Sequence, residues 1–222
     1  MRTVAVINLK GGVAKTITSN SIAYILANQG YRVLLLDNDK QGDASRGLNR
    51  RTQDGEGIDR IMTTRHPEDW MHKLIKKTDF ENLDVLPANM RLLTANQTVM
   101  LDQTRPQQYR IKNALECVKD LYDFCIIDNA PDINISTINA LTACNDVLIP
   151  VEIDDNTGEG LPELLAYLAA HALLTPSLLD VQPITHLPQI SQYTSVSTFL
   201  VIAIYVVLLR FGLYFSFFSP IL

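Results

Sequence analysis

Residues Thr3 to Asn8 read TVAVIN and lead without a break into Leu9-Lys10-Gly11-Gly12-Val13-Ala14-Lys15-Thr16. A short, β-branched apolar run of this kind suits a buried strand, and the two glycines mark a tight turn after it. From Lys15 to Gln29 the apolar residues Ile22, Ile25 and Leu26 recur at helical spacing, and Gly30 stands where a left-handed helix cap is expected. Strand, glycine-rich turn and helix in that order restrict the chain to an α/β design with the turn at the carboxyl end of a strand.

The rest of the sequence repeats the alternation. Arg32 to Asp37, Leu83 to Leu86, Asp123 to Asp128 and Val147 to Val151 read as strands. Arg110 to Leu121, with Ile111, Leu115, Val118 and Leu121 on one face, Ile135 to Ala143 and Leu161 to Ala170 read as helices. Between Gln41 and Thr78 the pattern weakens to short helical patches around Ile58 to Met62 and Trp70 to Ile75. Strands that alternate with helices predict a parallel sheet with helices on both faces.

The turn has the chemistry of a phosphate-binding loop. In the Walker A pattern GxxxxGK(S/T), backbone N–H groups cradle phosphate, the lysine neutralises it and the hydroxyl ligates magnesium. This chain lacks both glycines of that strict pattern, with Leu9 and Ala14 in their places. Two aspartates after the second strand, Asp37 and Asp39, and one ending an apolar strand, Asp128, are candidate partners of the loop. An acid at the end of a buried strand is costly without a partner, which favours a functional reading of Asp128. Cys117, Cys125 and Cys144 are too scattered for a disulfide framework or a metal knuckle, and Cys125 reads as a small core residue.

Lys10-Gly11-Gly12 followed by Lys15-Thr16 resembles the deviant Walker A loop, KGGxxK(S/T), of the ParA/MinD family of partitioning and positioning ATPases. Leu36-Asp37-Asn38-Asp39-Lys40-Gln41-Gly42 resembles the DxDPQG segment of ParA proteins, and Ile126-Ile127-Asp128-Asn129-Ala130-Pro131 their Walker B segment. Thr137 to Leu141, Val147 to Val151 and Glu159-Gly160-Leu161 are also similar, so the resemblance runs over roughly the first 170 residues.

The resemblance implies a P-loop NTPase fold of the deviant Walker A type and an ATPase that turns ATP into ADP and phosphate in plasmid or chromosome partitioning. It implies ATP and Mg2+ as cofactors, with Lys10, Gly11, Gly12, Val13, Ala14, Lys15, Thr16 and Ile17 around the nucleotide. Lys15 would hold the β and γ phosphates, and Thr16 would ligate magnesium with help from Asp37 and from Asp128 through water. Asp39 would position the attacking water. Lys10 would reach the nucleotide of a second subunit, giving a nucleotide-dependent homodimer, and a ParB-like protein would stimulate turnover. Relatives also bind DNA non-specifically, but the net charge of -5 and a tail whose one Lys or Arg is Arg210 argue against a DNA surface here. The family's usual glycine before the second lysine is Ala14 in this chain, and its usual proline after Asp39 is Lys40.

After His171 the only charged residues are Asp180 and Arg210, and the resemblance ends. The expected organisation is an ATPase domain over 1–171, an irregular connector over 172–198 with prolines at 176, 183 and 188, and a hydrophobic segment over 199–218. That segment is about long enough for a transmembrane helix, which needs roughly 20 mostly apolar residues, though Arg210 lies within it. Three readings of the tail are open: a membrane span, a strand-like buried or aggregating segment, or a frameshifted or truncated replacement. A tail of the last kind would leave the C-terminal strands missing and the last parallel strand an exposed edge. It would also fit a nucleotide-binding remnant or regulator without productive hydrolysis, whereas a membrane span would give an anchored ATPase. The first residues lack the basic, apolar and small-residue regions of a signal peptide, so a bacterial cytoplasm is the expected location, with membrane association through 199–218 as the alternative.

Overall fold

The computed structural model describes residues 1–52, 56–151, 180–183 and 205–210. In chain order the elements are β1 (Arg2–Val6), α1 (Lys15–Asn28), β2 (Val33–Asn38), α2 (Asp43–Gly47), α3 (Ile58–Thr63), α4 (Met71–Leu74), β3 (Lys76–Lys77) and β4 (Leu83–Leu86). They continue with α5 (Arg91–Leu101), α6 (Arg110–Glu116), β5 (Phe124–Asn129), α7 (Ile135–Ala143), β6 (Asp146–Val151), β7 (Asp180–Pro183) and β8 (Tyr205–Arg210). The sheet order is β3-β4-β2-β5-β1-β6-β8-β7. Among the described residues the five central strands, β4 to β6, are parallel, and antiparallel pairing occurs only at the two edges.

Alternation along the strands divides the core into two layers, because successive side chains leave a strand on opposite faces. Leu34, Leu36, Cys125 and Ile127 pack with Ile58, Met62, Leu92, Val99, Ile111 and Leu115, so α3, α5 and α6 cover one face. Val33, Leu35, Phe124 and Ile126 pack with Ala23, Leu26, Ala27 and Ala44, so α1 and α2 cover the other. Each fully buried Leu or Ile contributes about 1.5–3 kcal/mol through loss of apolar surface to water. Two ion pairs pin the strand beginnings opposite the loop. Arg2 clasps Asp146 with two N–H donors at 2.6 and 2.7 Å, and Arg32 donates to both oxygens of Asp123.

Helix α1 ends as the sequence suggests. Gly30 has φ +89°, its N–H donates to Ala27 O at 2.9 Å and that of Tyr31 to Leu26 O at 3.2 Å, the paired bonds of a glycine-terminated helix. Its buried face differs, however. Ala23, Leu26 and Ala27 lie inside while Ile25 is exposed, because small residues let α1 approach the sheet closely. Helix α6 stops at Glu116 rather than Leu121, and Leu121 is exposed.

The tail narrows the three readings left open for it. Residues 205–210, inside the hydrophobic segment 199–218, form strand β8 rather than part of a transmembrane helix and pair antiparallel with β6 from Asp146↔Arg210 to Val151↔Tyr205. β6 is therefore not left as a bare edge, and strands are present after residue 171 rather than missing. Among the described residues no helix is long and apolar enough to cross a membrane. The expected helix at 161–170 and most of the expected connector lie outside the described residues.

Two outcomes follow from this packing. At Gly57 an added Cβ would lie 2.1 Å from Pro87 O, the same carbonyl that accepts the Ile58 N–H at 2.9 Å. Gly57→Ala is expected to destabilise the protein by about 1–3 kcal/mol through forced backbone shifts, seen as a lower midpoint in denaturant. Hydrogen bonds from Arg32 hold the Asp123 carboxyl down at about 2. A depressed acid stabilises the fold above its ordinary range, and that contribution is lost as pH falls from about 4 toward about 2. Asp123→Asn should flatten this part of the acid-denaturation curve, and an unchanged curve would show that the pair contributes nothing.

Candidate functional site

The loop from Asn8 to Lys15 leaves the carboxyl end of β1 and enters α1, so the helix amide groups and the positive end of its dipole meet there. Asn8 braces it from behind. Its Nδ2 donates to Pro150 O at 2.8 Å across the sheet, and its Oδ1 accepts the Lys10 N–H at 2.9 Å. The Val13 side chain is buried and anchors the middle of the loop, while Gly11 and Gly12 stand at the surface with nothing within 4 Å of an added Cβ. This part of the loop is therefore exposed.

Gly12 and Ala14 both turn left-handed, at φ +80° and φ 58°, ψ 26°. For Ala14 that conformation brings Cβ near the following carbonyl at a cost of about 1–2 kcal/mol. The loop therefore demands the backbone shape that a glycine adopts without strain, and the alanine adopts it regardless. The Ile17 side chain is 70 % exposed, and its backbone lies in the first turn of α1.

Four charged side chains converge on this turn. Lys15 is buried and its Nζ donates to Lys10 O at 2.9 Å, closing the loop on itself. Burial pushes its pKa down, opposed by the negative charges of Asp128, Asp39 and Asp132. Asp128, at the end of β5, is 1 % exposed and accepts the Thr16 hydroxyl at 2.8 Å on one oxygen and the Ser19 hydroxyl at 2.7 Å on the other. Burial raises its carboxyl to about 6, against these two hydrogen bonds.

Asp37 stands opposite Asp128 in register on β2 and is fully buried. Its Oδ2 accepts both the N–H and the hydroxyl of Ser45, at 2.8 and 2.5 Å, and its Oδ1 accepts the Asp39 N–H at 3.2 Å. Burial raises it to about 7. Both oxygens of Asp37 are thus spent on fixing α2 and the segment that carries Asp39, so it shapes the site from behind. Asp39 is half-buried, and its Oδ1 accepts the Gln41 N–H at 2.9 Å.

A magnesium ion fits this donor set. Magnesium keeps several waters and takes one or two protein oxygens beside those of a phosphate, and the Thr16 hydroxyl with the Asp128 carboxylate supplies such a pair. Among the described residues no cluster of three or more His, Cys, Asp or Glu forms a self-sufficient metal cage. The loop thus brings Lys10, Lys15, Thr16, Asp37, Asp39 and Asp128 together at one end of the parallel strands. Asn8, Ser19 and Ser45 were not foreseen. Ser19 alone had a signal in the sequence, lying three residues after Thr16 and so on the same helix face.

Comparison with known proteins gives the same family. Residues 1–177 match the family described as AAA domain. The sporulation initiation inhibitor protein Soj of Bacillus subtilis is 43% identical over 162 residues, which are 73% of this chain and 62% of that protein. The chromosome partitioning protein ParA of Caulobacter vibrioides is 36% identical over 168 residues, 74% of this chain and 61% of that one. The chain therefore spans about three fifths of the length of these relatives. Among solved structures, a cobyrinic acid a,c-diamide synthase from Mycobacterium smegmatis with a bound ATP analog and magnesium superimposes with a TM-score of 0.72 at 32% identity, over 79% of this chain and 70% of that one. Apo McdA of Cyanothece, at 21% identity, shares the fold with a TM-score of 0.68 over 79% and 68% of the two chains. The chain belongs to the ParA/MinD family of AAA-domain partitioning ATPases.

Proposed function

We propose that this chain binds ATP with Mg2+ and hydrolyses it to ADP and phosphate, as a nucleotide-bridged homodimer serving plasmid or chromosome partitioning in the bacterial cytoplasm. One observation carries the reading. Thr16 and Ser19 at the start of α1 share the buried carboxylate of Asp128, while Lys15 lies close enough to Asp39, Asp128 and Asp132 for all three to act on its charge.

In this mechanism the amides from Gly11 to Ile17 hold the phosphate oxygens, with the α1 dipole favouring their negative charge. Lys15 exchanges its bond to Lys10 O for the β and γ phosphates, so its ammonium enters a site that is already desolvated and acts strongly there. A magnesium ion bound there would be held by Thr16 and Asp128 and would supply positive charge against the phosphates, while Asp37 keeps the neighbouring strand end and Asp39 in order. Asp39 accepts a hydrogen bond from the attacking water and sets its line to the γ phosphate. Lys10 reaches the nucleotide of the second subunit and stabilises the charge that spreads over the transferring group. A ParB-like protein fits the role of the stimulating partner by likeness to the ParA relatives. The described surface supplies no comparable argument for DNA.

Removal of the loop ammonium should be severe. Lys15→Ala is expected to lower kcat by at least about a hundredfold, the usual scale for losing one preorganised charge contact. Asp39→Ala should lose turnover while still binding ATP and dimerising with it, as read by calorimetry and light scattering. Unchanged turnover in either variant would refute the proposed mechanism.

The strained turn gives a separate expectation. Ala14→Gly releases the left-handed cost but gains unfolded-chain entropy, so a net stabilisation of about 0.5–1 kcal/mol is expected in denaturant titration. A loss of stability would mean that the Ala14 methyl group contributes packing that outweighs its strain.

A further inference from the structure

We propose that Asn8 is the positioning residue of Lys10, tying the backbone of that lysine to strand β6 so that its ammonium is aimed at the nucleotide of the second subunit. The inference rests on the proposed role of Lys10 and deepens it by naming what holds Lys10 in place.

The sheet gives the reason for an asparagine at this position. β1 and β6 run parallel with Val6 opposite Leu148, and the Ile7 N–H donates to Leu148 O at 2.9 Å. Backbone donors in a parallel ladder come from every second residue, so the next one, toward Pro150 O, would be Leu9. The chain instead turns into the loop, and the Asn8 side chain takes that place, its Nδ2 donating to Pro150 O at 2.8 Å. Its Oδ1 accepts the Lys10 N–H at 2.9 Å, an Asx turn that begins the loop. Asn8 is 3 % exposed and both ends of its amide are engaged, so its orientation is fixed. An aspartate would turn an acceptor toward Pro150 O, and a serine is one bond too short to reach it.

Both peptide groups of Lys10 are therefore held. Asn8 takes the N–H, and the C=O accepts Lys15 Nζ at 2.9 Å. In the proposed mechanism Lys15 gives up that bond for phosphate, whereas the Asn8 bond takes no part in phosphate contacts and persists. Gly11 and Gly12, which follow Lys10, have no side chains to anchor it. Asn8 is then the pivot that keeps Lys10 in register with the sheet while the rest of the loop closes on the nucleotide. Misplacing a reacting group by about 1 Å can cost about a hundredfold in rate, so this tether matters to turnover more than to ATP affinity.

The test compares Asn8→Ala, Asn8→Ser, Lys10→Ala and the double variant Asn8→Ser with Lys10→Ala, all in the full chain. Serine keeps an acceptor for the Lys10 N–H but loses the bond to Pro150 O. The first readout, amide hydrogen exchange at Lys10, uses no ATP. Exchange is expected to be at least about tenfold faster in Asn8→Ala and about threefold faster in Asn8→Ser, and unchanged exchange would overturn the proposal. The second readout is turnover with magnesium-ATP. Each Asn8 variant should lower kcat at least about tenfold and keep the ATP affinity, read by calorimetry, within about threefold. Adding Asn8→Ser to Lys10→Ala should lower kcat no further, because the two residues act as one unit. A merely structural role would lower kcat by the same factor with or without Lys10, and that result, like wild-type kcat in both Asn8 variants, would sink the idea. A wild-type chain without turnover, or a Lys10→Ala variant at the wild-type rate, would instead remove the proposed function, with exchange at Lys10 alone then deciding whether Asn8 holds it.

Discussion

A buried carboxylate shared by two hydroxyls organises the functional end of this protein. Asp128 ends a strand whose other residues are apolar, and a bare charge there would be too costly to keep. Thr16 and Ser19 meet that need from the first turn and a half of α1, so the helix start is held against the sheet at the point where the loop must be open. The loop can then be thin and exposed at its two glycines, because its ends are fixed by Asn8 on one side and by this contact on the other, with Val13 buried between them.

The same economy explains the position of Asp37. Two carboxylates on neighbouring strands in register repel each other, and burial raises both above the usual range. Hydrogen bonds from Ser45 and Thr16 keep each one tied to a different helix, so the pair couples α1 and α2 through the sheet. Under the proposed function a cation among Thr16, Asp128 and Asp39 would relieve this repulsion. Ala14 adds a local backbone strain to the same turn.

The tail illustrates how weakly an apolar segment specifies its own structure. A run of Val, Ile, Leu and Phe with one arginine is compatible with a bilayer helix and with a strand, since both bury apolar side chains. What distinguishes them is the presence of an unpaired sheet edge. β6 presents its N–H and C=O groups at such an edge, and β8 satisfies them in antiparallel register.

Much of the molecule was legible in the sequence because it rests on local periodicity. The strands at Leu83–Leu86 and Val33–Asn38, the helix at Ile135–Ala143, and the loop between β1 and α1 follow from alternation, helical spacing and glycine placement, each of which is a property of neighbouring residues. The sequence by itself also pointed to the aspartates at strand ends as candidate partners of the loop, and the structure places Asp37, Asp39 and Asp128 at the same end of the sheet as that loop. Only the tertiary structure decided which side of α1 is buried, that Asp37 turns to Ser45, that Asn38 is left with an orphan acceptor, and that the second sheet edge is antiparallel. Those features depend on residues 8 to 123 positions apart, and no local pattern records which partners the sheet brings together.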